Sequence, residues 1–194
     1  SYKNKTKLVR HYISSINLIL LLVFCPTYLA TNKNIFYELS LGTSSSYLIW
    51  DLYYITLNNT KEYAYMFHHL AGLLLWELTL MSADFKIPIV ILYALAELSN
   101  IPMFIIYYLL KTRDNTNKST LKRLLYWKFN QVISYGPIRL LLIPYILCPY
   151  FFKMSQTLIV VISLMVIIMS YWQIHITRSY LKDRRDYNDL LKLE

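Results

Sequence analysis

The sequence predicts an all-α protein, a polytopic membrane bundle of six transmembrane helices. Three observations carry this. Of the 194 residues, 56% are hydrophobic and only 16% charged. The apolar residues come in blocks of about 20, enough to cross ~30 Å of hydrocarbon at ~1.5 Å per residue, not at the spacing of a single apolar helix face. Lysine and arginine, finally, gather in alternate connections between those blocks, the asymmetry expected of membrane topology.

The first span is Tyr12 to Ala30, behind a basic arm of Lys3, Lys5, Lys7 and Arg10. The arm and apolar run resemble a signal peptide, but the run is longer than an ordinary signal core and no small-x-small cleavage site follows Ala30. The second span, Phe36 to Leu57, is interrupted by Glu38, Thr43, Ser44, Ser45, Ser46 and Asp51. The third, Ala64 to Met81, opens on His68 and His69. The fourth, Ile87 to Leu110, and the sixth, Gln156 to Thr177, are the most uniformly apolar. The fifth, Tyr126 to Leu147, contains Asn130, Gln131, Ser134, Gly136, Pro137, Arg139 and Pro144. Helices as polar as the second and fifth cannot face lipid all round, so they are expected to pack on neighbours with polar stripes inward. The longest connection, Lys111 to Leu125, is expected to extend the fifth helix along the cytosolic surface. One membrane domain is expected over residues 1–194, and a serine at position 1 leaves a seventh, upstream helix open.

Sorted by these six spans, sixteen lysines and arginines fall on one side: four in the arm, Lys61, six between Lys111 and Lys128, and five from Arg178 onward. Three, Lys33, Lys86 and Lys153, fall on the other side, and Arg139 lies within a span. Both termini are therefore expected in the cytosol. The net charge of +9 is then read as orientation signals and lipid-headgroup contacts, not as a nucleic-acid surface. Three Asn-x-Ser/Thr sequences, beginning at Asn4, Asn58 and Asn117, all fall on the cytosolic side, where glycosylation does not occur. Cys25 and Cys148 both lie near the lumenal ends of their helices, which would allow a disulfide, and apolar packing residues are the plainer reading.

Ionisable groups inside hydrocarbon are costly, and segments that keep them usually build a polar interior. His68 and His69 lie about one turn, roughly 5 Å, inside the third helix, and Asp51 lies at a similar level on the second. A carboxylate fixes the tautomer of an imidazole and raises its basicity, so Asp51 is the natural partner of one of them. Such a histidine can deprotonate an amine or hydroxyl, or attack a thioester. The plain alternative is a doublet bonded to backbone carbonyls. Tyr93, Glu97 and Asn100 are expected to share a face of the fourth helix. Gln131, Tyr135 and Arg139 form a line on the fifth, as do Tyr171, His175 and Arg178 on the sixth. Glu97 with Arg139 reads either as a structural ion pair or as part of a site, and His175 as an interfacial residue before a catalyst. No metal is expected: four histidines are too few for a membrane di-iron centre, and adjacent histidines on a straight helix chelate poorly.

A serine-rich stretch before an acid (Ser44-Ser45-Ser46-Tyr47, then Asp51), a His-His pair opening the next helix (Phe67-His68-His69), Glu97-Leu98-Ser99 in the following one and Arg139 in a later one resemble the TLC superfamily. That superfamily includes the ceramide synthases, the translocation-associated membrane protein and the ceroid-lipofuscinosis membrane proteins of the endoplasmic reticulum. The resemblance spans nearly the whole chain. It implies six or seven helices around a cavity that opens to the cytosol and admits an acyl chain. Where ceramide synthases carry His-Asp-x-x-Asp one helix after the histidine pair, this chain reads Tyr93-Ala94-Leu95-Ala96-Glu97, closer to the shorter relatives with Glu-x-Ser.

The expected function is transfer of a fatty acyl group from acyl-CoA to an amine or hydroxyl of a membrane lipid. His68, His69 and Asp51 would be catalytic. Tyr47, Tyr93, Glu97, Asn100, Gln131, Tyr135, Arg139, Tyr171 and His175 would line the substrate pocket. Acyl-CoA would be a co-substrate and not a tightly bound cofactor, attracted by the basic loops. The expected partners are membrane lipids and a second copy in a homodimer, with no nucleic acid. The expected location is the endoplasmic reticulum membrane. The alternative is a non-enzymatic protein of the same fold that binds lipid, regulates lipid composition or handles cargo.

Overall fold

The computed structural model describes residues 2–58, 62–81, 83–112 and 118–192, and the described residues are helical with no strand. The chain divides into two compact bodies, Ser1–Leu98 with Ile146–Met165 and Ser99–Tyr145 with Val166–Glu194.

In the first body, α1 (Tyr2–Thr31), α2 (Asn34–Leu57), α3 (Tyr63–Met81) and α4 (Lys86–Leu98) pack on one another. The α1–α2 hairpin closes at Asn32, whose φ of 52° is tolerated because a short polar side chain can sit in the left-handed region. The buried face of α2 recurs every three or four residues: Tyr37, Ser40, Ser44, Leu48, Asp51 and Ile55. The serines belong to this packing face, whereas Ser46 and Glu38, read from sequence as part of an inward stripe, stand exposed. The matching face of α1 is Asn17, Leu21, Cys25 and Tyr28. Gly72 lets α3 approach its neighbours: a Cβ there would lie 3.1 Å from Leu48 Cδ1 and 3.2 Å from Tyr93 Oη.

The second body contains α5 (Ile101–Thr112), α6 (Lys118–Gly136) and the C-terminal part of α8 (Gln156–Lys192); the short α7 (Ile143–Leu147) spans the boundary between the bodies. Ile106 and Leu109 of α5 meet Leu124 of α6 in a small core. The fourth predicted span is not one continuous helix. It breaks between α4 and α5 at Ser99 and Asn100, because Pro102 has no N–H to give and its ring crowds the carbonyl four residues earlier. The fifth is also interrupted: α6 runs into a π-helical segment, Pro137–Leu142, before α7. Its predicted extension is helical from Lys118, and α8 continues fifteen residues beyond the expected end, Thr177. Lys128 pins the two, donating to Ser179 Oγ (2.8 Å) and pairing with Asp183 (2.6 Å).

Among the described residues four stretches are long and apolar enough to cross a bilayer: Val9–Thr31, Ala83–Lys111, Ser119–Lys153 and Gln156–Asp189. The six expected spans reduce to these four on length and apolarity. The polar residues of α2 and the histidines of α3 lower their apolarity, and much of that polarity is buried among neighbouring helices, with Ser40, Ser44, Asp51 and His69 all inside.

Candidate functional site

The polar interior of the first body is built around Asp51, which α2 places on its buried face and which is 0% exposed. α3 brings His69 against it, with Nε2 2.6 Å from Asp51 Oδ2. α1 brings Arg10, whose Nε and Nη2 donate to Oδ1 and Oδ2 at 2.6 and 2.7 Å. The carboxylate thus accepts three short hydrogen bonds, two of them from a guanidinium fork of matching geometry. Arg10 uses its remaining arm on Glu62, with Nη1 2.6 Å from Oε2, and its guanidinium lies 5.7 and 5.5 Å from the ring centroids of Tyr54 and Tyr65.

An ionised carboxylate only accepts, so the His69 nitrogen that faces it carries the hydrogen. Nδ1 is then the ring atom left over. It is buried and has no hydrogen-bond partner among the described residues. Tyr47 stands edge-on to this ring, centroids 5.9 Å apart, and shares a 2.9 Å hydrogen bond with Ser14 of α1. His68 is half-buried, its ring centroid 5.6 Å from that of His69. One turn beyond Ser14, Asn17 donates through Nδ2 to Glu97 Oε1 of α4 at 3.3 Å. Tyr93 of α4 donates to the Gly72 carbonyl and stacks on Trp76, centroids 4.4 Å apart.

The predicted pairing of Asp51 with one member of the histidine doublet is present, and His69 is the member. Tyr47, Tyr93 and Glu97 lie in the same body. Asn100 lies beyond the end of α4, in the second body. In the second body, Asn100 and Ser99 instead receive Arg139, through Nη2 and Nε, each at 2.9 Å. Arg139 is 3% exposed and lies 4.7 Å from the Tyr135 ring centroid; Gln131 is half-buried one turn earlier. The π-helical segment widens the turn that carries Arg139, a distortion common where a helix must aim a functional side chain.

The expected inward line on α8 is corrected. Tyr171 and His175 stand exposed with their rings 4.4 Å apart, and Arg178 is exposed too. The face that meets α6 lies two residues away: Gln173 donates to the Val132 carbonyl at 3.1 Å and fills the space that a Cβ on Gly136 would take. The sequence reading missed Arg10, Glu62, Ser14 and Asn17. Three of them were legible as a line, since residues 10, 14 and 17 recur at helical spacing and continue into the buried Leu21, Cys25 and Tyr28.

Helices of this length and apolarity, closing over buried charged and polar residues, define an integral membrane protein. The family model described as the TLC domain matches residues 3–181, and the chain belongs to the TLC domain family, which marks it as a lipid-related membrane protein. No curated protein and no solved structure gives a significant match.

Proposed function

We propose that the protein is an acyltransferase that moves a fatty acyl group from acyl-CoA to an amine or hydroxyl of a membrane lipid. The observation that carries this reading is the buried His69–Asp51 pair, in which the carboxylate holds Nε2–H and leaves Nδ1 over. In a neutral ring Nδ1 is a lone-pair base. The acceptor's nitrogen or oxygen attacks the thioester carbonyl as its proton passes to Nδ1. The C–S bond then breaks, its electron pair leaves on the CoA sulfur, and the imidazolium returns the proton there. Asp51 orients the ring throughout and steadies its charged form. On this reading α2 and α3 also lie across the membrane, sheltered by their neighbours. Both termini face the cytosol of an endoplasmic reticulum membrane, as the charge asymmetry suggests, and the basic connections attract the phosphates of CoA.

The test is turnover of labelled acyl-CoA by the purified full chain, reconstituted with a panel of lipid amines and alcohols. His69→Gln is expected to lower the rate at least ~100-fold, the low end of what a positioned general base contributes. Glu62→Gln should leave it within a few-fold. Absence of wild-type turnover across the panel would overturn the reading. It would favour a non-enzymatic lipid-binding protein, for which one observation also speaks: Arg10 already neutralises Asp51, so the cluster would stand as a structural network.

A further inference from the structure

Two buried acceptors in the first body are left over by the same logic. Asn17 is 4% exposed, and its amide orientation is dictated by Glu97: the NH2 side must face the carboxylate, so Oδ1 faces away. That oxygen is buried and has no hydrogen-bond partner among the described residues. His69, 5% exposed, is committed to Asp51 through Nε2 and keeps Nδ1 buried and equally without a partner. A line of contacts joins them: Asn17 is one turn from Ser14 on α1, Ser14 bonds Tyr47, and Tyr47 lies edge-on to His69. Buried polar atoms without partners are rare in native folds, and each calls for an explanation.

We propose that Asn17 Oδ1 and His69 Nδ1 form the head-group subsite for the acceptor, a lipid that presents O–H or N–H donors. This rests on the acyl-transfer reading and adds the residue that selects the acceptor. Both atoms accept hydrogen bonds. A phosphate or carboxylate would be repelled there. A head group with two donor hydrogens, a 1,2-diol or an amine, would donate to both atoms, with one proton directed at Nδ1.

The experiment is competition binding to the purified full chain in nanodiscs, without acyl-CoA. The probes are a long-chain 1,2-diol and its dimethyl ether, and a long-chain primary amine and its quaternary trimethyl derivative. Wild type is expected to bind an uncapped probe at least about tenfold more tightly than its capped form, because a site built to hydrogen-bond a donor rejects the analogue that lacks it. The two pairs separate an O–H from an N–H acceptor. Asn17→Leu should collapse the ratio toward one. Asn17→Ser, which keeps a hydroxyl oxygen, should retain part of the discrimination. Equal binding of capped and uncapped probes by wild type would overturn the proposal, as would an Asn17→Leu variant with an intact ratio. Discrimination without turnover would remove acyl transfer and leave the subsite. Turnover by Asn17→Leu with unchanged acceptor preference would do the reverse.

Discussion

Asp51 offers a sharp energetic test, because one arginine holds both it and Glu62 in very different surroundings. The Asp51 side chain is 0% exposed and takes three hydrogen bonds of 2.6 to 2.7 Å; Glu62 is 33% exposed and takes one from Arg10. Removing one partner of a buried ion pair leaves the other charge uncompensated, at about 3–5 kcal/mol. Asp51→Leu strands His69 Nε2–H and leaves Arg10 to Glu62 alone, so a loss of that size is expected. Arg10→Met should cost a similar amount, because it leaves a buried carboxylate with His69 as its only remaining hydrogen-bonding partner among those described. Glu62→Gln breaks only a half-exposed, screened pair and should cost ~0–1 kcal/mol. The double variant Arg10→Met with Asp51→Leu replaces both charges by apolar side chains and should cost no more than either single variant, a coupling of at least about 3 kcal/mol. The assay is reversible unfolding in mixed micelles, wild type and the four variants side by side. An Asp51→Leu cost below ~1 kcal/mol, or a double variant as unstable as the sum of the singles, would refute the reasoning.

Other substitutions test the packing around the site. Gly72→Val should cost about 1–3 kcal/mol in the same assay, since even a Cβ would lie 3.1–3.2 Å from Leu48 and Tyr93 and a branched side chain overpacks the contact. Arg139→Lys keeps the charge but loses the fork that donates to Ser99 and Asn100; a cost of ~1–3 kcal/mol is expected, and a neutral result would mean that charge alone matters there. His175→Ala, at an exposed position outside the corrected α8 face, should leave stability within ~0.5 kcal/mol and turnover unchanged.

Much of the candidate site could be read directly from the chain. Asp51 and the histidine doublet stood out because charged and polar residues rarely persist in apolar blocks without a partner, and the two lie at matching depth on successive helices. Arg10 was hidden by its position: at the end of a basic arm it counted as one more orientation charge, although its spacing to Ser14 and Asn17 placed all three on one face. Glu62, next to the start of α3, had no periodicity to reveal it. On α8 two polar lines competed, Tyr171–His175 and Gln173–Thr177, and the more conspicuous residues belonged to the exposed one. The break at Ser99 had a visible cause in Pro102, but a proline can also be accommodated near a helix start, so its presence did not settle where one helix ended.

The amino-acid sequence by itself determined the all-helical membrane class, since hydrophobic block length and composition are properties of a segment that no neighbour can alter. It also made Asp51 the natural partner of one of the two histidines. Only the tertiary structure decided which histidine meets Asp51, that Arg10 closes the cluster, and which nitrogen and which amide oxygen are left over. The physical reason is geometric: periodicity fixes how side chains are arranged around their own helix axis, but the rotation of each helix toward its neighbours is set by packing, at contacts such as Gly72 against Leu48 and Tyr93 and Gly136 against Gln173.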